Sequence, residues 1–278
     1  MVVTAALAAP GAADEVADPR DTALPCRPTI ACTADIVPPG VFELEAGYTY
    51  RRLGDRTNQS TFPLLLKLTV VDWAQLQIGS NGPTFASGPS RAHYFDDVTI
   101  GPKFHLHDQT PSWPSLSVSA ALNIPTAAAR GYTRTYDALF TAYVTKDIGW
   151  LHADWNVGLN VWRIADSPRH QAWIALSLSV HLPRQLGADL EGYYFSDAAP
   201  ISLRDSGILA AVTYSLRTWL VLDAGADAGL VRSTRTVSAF AGVTAIPARL
   251  WGPRTRTLDA ARIRRDHEAR ADRTIRQW

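Results

Sequence analysis

Eight carboxylates, Glu43, Glu45, Asp97, Asp154, Asp189, Glu191, Asp223 and Asp227, and three histidines, His105, His152 and His181, fall at alternate positions of short stretches whose intervening residues are apolar. Imidazoles can hold a metal or relay a proton. The spacing favours neither use. His152 and His181 fall on neighbouring segments near one end, but His105 lies several segments away, so no third imidazole is at hand and hydrogen bonding is the better reading. Cys26 and Cys32 are the only cysteines and have no second ligand pair nearby, so neither a metal nor another cofactor is expected. No Gly-x-Ser-x-Gly and no phosphate-binding loop occurs. Against the eight acids stand three permanent cations on the same parity, Arg51, Lys67 and Lys103. This acid-leaning set can line a path that disfavours anions. It can equally pair with the cations, the histidines and backbone donors to hold an interior together.

The segments that carry these residues alternate with a period of two, which builds one apolar face on a strand and none on a helix. Val41 to Arg51 places Phe42, Leu44, Ala46, Tyr48 and Tyr50 opposite Glu43, Glu45, Gly47, Thr49 and Arg51. The same pattern runs through 62–70, 74–78, 98–106, 116–124, 138–144, 151–161, 172–182, 186–194, 208–216, 220–230 and 237–245. In all twelve the apolar parity lacks Asp, Glu, Lys, Arg and His. An Arg or Lys at the bilayer midplane of a membrane barrel costs about 2–4 kcal/mol, so a charge-free outward face with a polar inward face predicts a twelve-stranded antiparallel transmembrane β-barrel. The polar parity also holds Tyr143, Trp162, Trp173, Tyr193, Phe195 and Phe240, which either line a path for apolar or aromatic solutes or pack a narrow interior.

Connections alternate in length. Tight returns fall at Asp72, Asp147 to Gly149, Pro183-Arg184 and Arg217-Thr218, with a longer one at His107 to Pro114 on the same side. Long polar connections run over 52–61, 80–96, 125–137, 163–170 and 196–207, followed by the shorter 231–236. Outer-membrane barrels keep short turns periplasmic, so an even strand count puts both termini in the periplasm. Trp73, Trp113, Trp150 and Trp219 cluster at the short-turn rim, where indole suits a lipid–water interface, although each can also simply pack a strand end.

Bulk composition hides this architecture, since the 278 residues are 46% hydrophobic with a net charge of +1 and a mean hydropathy of −0.06. No apolar run is long enough for a transmembrane helix. Residues 1–13 resemble a truncated export signal, Ala-rich but without a basic start. Residues 14–40 read as a periplasmic leader in which Cys26 and Cys32 can close a small loop in an oxidising compartment. Whether Asp14 to Pro39 threads into the barrel is left open. The barrel spans 41–246, and 247–278 form a basic tail, helical from an N-cap at Thr257 or disordered, with 8 Arg against 4 acids from Arg254 onward.

Several segments resemble the MetA-pathway of phenol degradation family, outer-membrane proteins associated with aromatic catabolism. Gly40 to Gly47 is similar to that family's opening strand, and Asp97-Val98-Thr99-Ile100-Gly101-Pro102-Lys103 to its Gly-Asp-x-x-x-Gly-x-Lys strand, with Asp96 in place of the first Gly. Pro114 to Val118 running to Pro125-Thr126, Asn156-Val157-Gly158, Ala188-Asp189-Leu190 and Asp223-Ala224-Gly225 to Gly229-Leu230 add further matches. The chain departs from the family where the last strand ends near Ile246 and a tail follows. The resemblance implies a channel for small hydrophobic or aromatic compounds. The partners expected are outer-membrane lipid and such a solute, with no nucleic acid, and the barrel is expected to be monomeric. Two rival readings are a structural barrel without transport and, less favoured because no outward position is His, a lipid hydrolase.

Overall fold

In the computed structural model the described residues are 22–89, 91–127, 136–164, 167–198, 205–231 and 236–252. The export-like segment, residues 14–21 of the leader and residues 253–278 of the basic tail, with the proposed N-cap Thr257, lie outside them. Fifteen strands form one antiparallel sheet among these residues. They are β1 (Val41–Arg52), β2 (Asn58–Thr61), β3 (Leu64–Val71), β4 (Ala74–Ser80), β5 (Pro83–Ser87), β6 (Ala92–Phe95), β7 (Val98–His107) and β8 (Ser115–Ile124). The remainder are β9 (Asp137–Ile148), β10 (Leu151–Ile164), β11 (Ser167–Leu182), β12 (Leu186–Phe195), β13 (Asp205–Arg217), β14 (Leu220–Gly229) and β15 (Val237–Arg249). All but β2, β5 and β6 follow one another around a ring that closes where β15 pairs with β1. The product is a closed twelve-stranded transmembrane β-barrel, as the alternation predicts.

The large apolar side chains left uncovered lie on the outward parity. Trp155, Val157 and Leu159 of β10, Ile174, Leu176 and Leu178 of β11 and Ile208 and Val212 of β13 are exposed, whereas Glu43, Glu45, Lys67, Lys103, Asn156 and Glu191 are buried. This inversion of the soluble-protein pattern suits a barrel whose outer solvent is lipid. At the tight-turn end Trp73, Trp113, Trp150 and Trp219 are 59%, 64%, 78% and 41% exposed. Trp73 stacks on Phe104 with centroids 6.0 Å apart. The opposite rim carries a second aromatic group, in which Phe62 lies 5.2 Å from Tyr48 and 6.2 Å from Phe85.

Three regions differ from the sequence expectation. The connections 52–61 and 80–96 contain β2, β5 and β6, which extend one side of the wall beyond the ring by pairing β1 to β2, β2 to β5 and β5 to β6. Likewise 163–170, expected as a loop, is mostly strand, because β10 and β11 stay paired out to Ile164 and Ser167. Strands β2, β5 and β6 are short, and β2 is wholly polar, so they carry no long run of alternate apolar residues. At the other end β15 passes the expected boundary of 246 to reach Arg249, and its register against β1 shifts between Phe42 and Leu44. Pro247 sits at that irregularity, where a missing N–H is tolerated.

The leader's placement, open in the sequence, is fixed for residues 22–40, which lie inside the barrel. Ala23 donates its N–H to Thr218 O in the β13–β14 turn at 2.8 Å, and Gly40 donates to Thr69 O near the same end of β3 at 2.9 Å. Between these points Ala31, Ala34 and Val37 are at most 1% exposed.

Candidate functional site: a lumen held by its own leader

The lumen is best described by what its polar side chains grip. Glu43 and Glu45 flank Lys67 on the neighbouring strand, with Lys67 Nζ against Glu43 Oε1 and 2.6 Å from Glu45 Oε1, all three side chains at most 3% exposed. The same carboxylates accept from the leader backbone: Leu24 N to Glu43 Oε2 at 2.8 Å, Cys26 N to Glu45 Oε1 at 2.8 Å and Arg27 N to Glu45 Oε2 at 3.0 Å. Across the barrel Glu191 accepts from Ile30 N at 3.0 Å and Ala31 N at 2.7 Å. Asn156 exchanges two hydrogen bonds with the Cys32 backbone. Thr145 Oγ1 accepts from Ala34 N at 2.6 Å, Lys103 Nζ donates to Thr33 O at 2.5 Å, and Ser115 and Ser117 donate to Asp35 Oδ1 and Ala34 O. An irregular segment inside a barrel has no backbone partners of its own, and unpaired buried amides are costly, so the wall supplies the partners.

The leader is further fixed by a disulfide joining Cys26 and Cys32, Cα to Cα 4.5 Å. Arg27 reaches the wall directly. Its Nη2 and Nε donate to Asp223 Oδ1 and Oδ2 at 3.1 and 3.3 Å. Gly47 and Gly242, paired across the β1–β15 seam, leave the room for that guanidinium.

Other expected lumen residues pair within the wall or pack on the leader. Asp154 accepts from Thr145 Oγ1 at 2.5 Å and lies 3.2 Å from His152 Nε2, while His152 Nδ1 lies 2.6 Å from Asp147. His105 shares hydrogen bonds with Asp108, Ser117 and Ala34 O. His181 sits opposite Gly187 near the tight-turn end, whereas His152 sits opposite Ser179, so the two imidazoles are not a directly opposed pair. Asp189 accepts from Ser179 Oγ at 2.5 Å, and Asp227 from Tyr193 and Ser238. The aromatic set divides. Trp173, Tyr193 and Phe195 pack with Ile30 around Ala31 and Ala175. Trp173 stacks on Phe195 at 5.7 Å and lies over Gly158. Tyr143 packs with Cys26, Cys32 and Ala34, its ring 4.5 Å from Lys103 Nζ. Phe240 rests against Gly225.

At the long-loop end a cavity of about 780 Å³ is open above the leader, with Cys26, Arg27 and Thr29 in its lining. Its wall mixes Leu65, Leu139 and Trp162 with Asn81, Asp96, Asp97 and Asp137. Asp97 and Asp137 both accept from Asn123 Nδ2, at 3.1 and 3.2 Å. Trp162 donates to Gln171 at 3.3 Å. Sequence reading missed Arg27, Asn156, Thr145 and the glycine pair. Asn156, Thr145, Gly47 and Gly242 stand on the inward parity, but their partner is an irregular segment that periodicity cannot place.

Comparison with solved structures shows the same fold at low identity. An outer membrane channel from Pseudomonas putida F1 superposes with a TM-score of 0.56 and 11% identity, covering 76% of this chain and 97% of that one. The NanC porin superposes with a TM-score of 0.52 and 9% identity, covering 73% and 98%. No curated protein matches the chain. The model of the family described as "Putative MetA-pathway of phenol degradation" matches residues 27–245, from Arg27 of the leader into the last strand, and the chain belongs to that family.

Proposed function

We propose that the protein is a monomeric outer-membrane channel for small, weakly polar or aromatic solutes, with its tight turns and both termini facing the periplasm. The observation that carries this reading is the open cavity at the long-loop end, whose Leu65, Leu139 and Trp162 can accept a ring while Asn81 and Asp96 can accept or donate to a hydroxyl. Its floor is the leader, so passage requires the leader to shift. The membership of the family and the fold shared with outer-membrane channels support the same reading.

The test is conductance in planar bilayers together with swelling of liposomes in phenols, for the whole protein and for a variant lacking residues 22–37. Folding is checked by heat-modifiable gel migration. The reading expects solute flux that rises when the leader is deleted. A folded barrel with no flux in either form would overturn it in favour of a structural role. Release of fatty acids from phospholipid would instead support the hydrolase alternative.

A further inference from the structure

The contact between Arg27 and the wall is built like a ligand site. Asp223, its side chain 2% exposed, accepts two hydrogen bonds from one guanidinium. This fork geometry is the one a planar guanidinium satisfies and an ammonium does not. The two residues on the β1–β15 seam beneath the guanidinium are both glycine and directly paired. A Cβ on Gly47 would stand 2.5 Å from Arg27 Cζ, and one on Gly242 would collide with Nε and Cζ, so the wall is cut back on both strands for a flat group. The occupant is reachable, because Arg27 is 16% exposed and lines the loop-end cavity together with Glu45. Arg27 is also anchored through its own N–H to Glu45, beside the disulfide that ties Cys26 to Cys32. Its guanidinium is thus one of several contacts that hold the part of the leader forming the cavity floor.

We infer that Asp223, Gly47 and Gly242 form a guanidinium-binding site, occupied at rest by Arg27 as an internal ligand, at which a guanidinium-bearing solute arriving from the loop-end cavity displaces the leader. The solute acts on the leader as an effector. The inference rests on the channel reading for its consequence, and on the Arg27 contact alone for the site.

Hydrogen exchange of the amides of residues 24–34 tests the site without requiring conduction, using millimolar guanidinium chloride against ammonium chloride at equal ionic strength on the full-length folded protein. Guanidinium is expected to speed exchange with a saturable dose dependence, and ammonium to leave it unchanged. Arg27→Ala and Gly47→Ala are each expected to exchange about 10- to 100-fold faster at rest, the loss typical of a charge-assisted hydrogen-bonded pair, and to lose the guanidinium response. Equal effects of the two cations, or unchanged exchange in wild type, would overturn the inference even if a variant failed to fold. Conductance separates the two readings. A guanidinium response in exchange without conduction by any form sinks the channel and keeps the site, whereas conduction without that response does the reverse.

Discussion

Asn156 and Cys32 hold each other in both directions: the Cys32 N–H donates to Asn156 Oδ1 at 2.6 Å, and Asn156 Nδ2 donates to Cys32 O at 2.9 Å. One side chain thus substitutes for a neighbouring strand, and it does so at 0% exposure. Asn156→Ala leaves a buried donor and a buried acceptor unpaired, each worth about 1–3 kcal/mol. The expected outcome is faster hydrogen exchange at residues 30–34 with barrel amides unaffected. Equal protection in the two proteins would show that the leader does not depend on this pair.

Lys67 is the sole cation in contact with both Glu43 and Glu45 among the described residues. Lys67→Met strands two buried carboxylates, and breaking a buried pair costs about 3–5 kcal/mol. The heat-modifiable transition of the folded barrel is expected to move to lower temperature. An unchanged transition would refute the charge pairing as a source of stability.

Leu176 faces outward near the middle of β11, 45% exposed in the absence of lipid. Leu176→Arg is expected to destabilise the barrel in vesicles by about 2–4 kcal/mol, and Leu176→Ala by much less. Urea titration of folding into lipid vesicles measures both. Equal costs would argue that this face does not meet the bilayer core.

The Cys26–Cys32 disulfide encloses the amides that Glu45 and Glu191 receive. A disulfide typically contributes about 2–4 kcal/mol, largely by restricting the open chain. The Cys26→Ser/Cys32→Ser double variant is therefore expected to fold as a barrel but to exchange faster at 24–34. Mass spectrometry after alkylation is expected to show no thiol before reduction and two after it. Alkylation without reduction would refute the pairing.

The barrel was legible because lipid penalises charge at every outward position, and that constraint writes itself as a period of two from Phe42 to Ala245. Strands β2, β5 and β6 were not, since Asn58-Gln59-Ser60-Thr61 is wholly polar and the other two are too short to show a sustained alternation. The lumen was half legible. Parity placed Glu43, Glu45, Glu191 and Asp223 inward, and the reading that such acids pair with cations and backbone donors matches what they touch. Their partners, however, are amides of an irregular leader, and a backbone N–H carries no residue type that a sequence can display. Arg27 had a charge to notice but no periodic neighbours to give it a direction.

Both ends of the described leader meet the same rim: Ala23 touches the β13–β14 turn, and Gly40, held by Thr69 O and by the N–H of Leu250 at 2.7 Å, opens β1. The segment is thus a bent finger pushed in through one mouth, and no part of it is threaded from one mouth to the other. Across residues 22–40, withdrawal needs no parting of the β1–β15 seam. Removing the finger would break the side-chain contacts that hold it and leave every strand pairing of the ring in place.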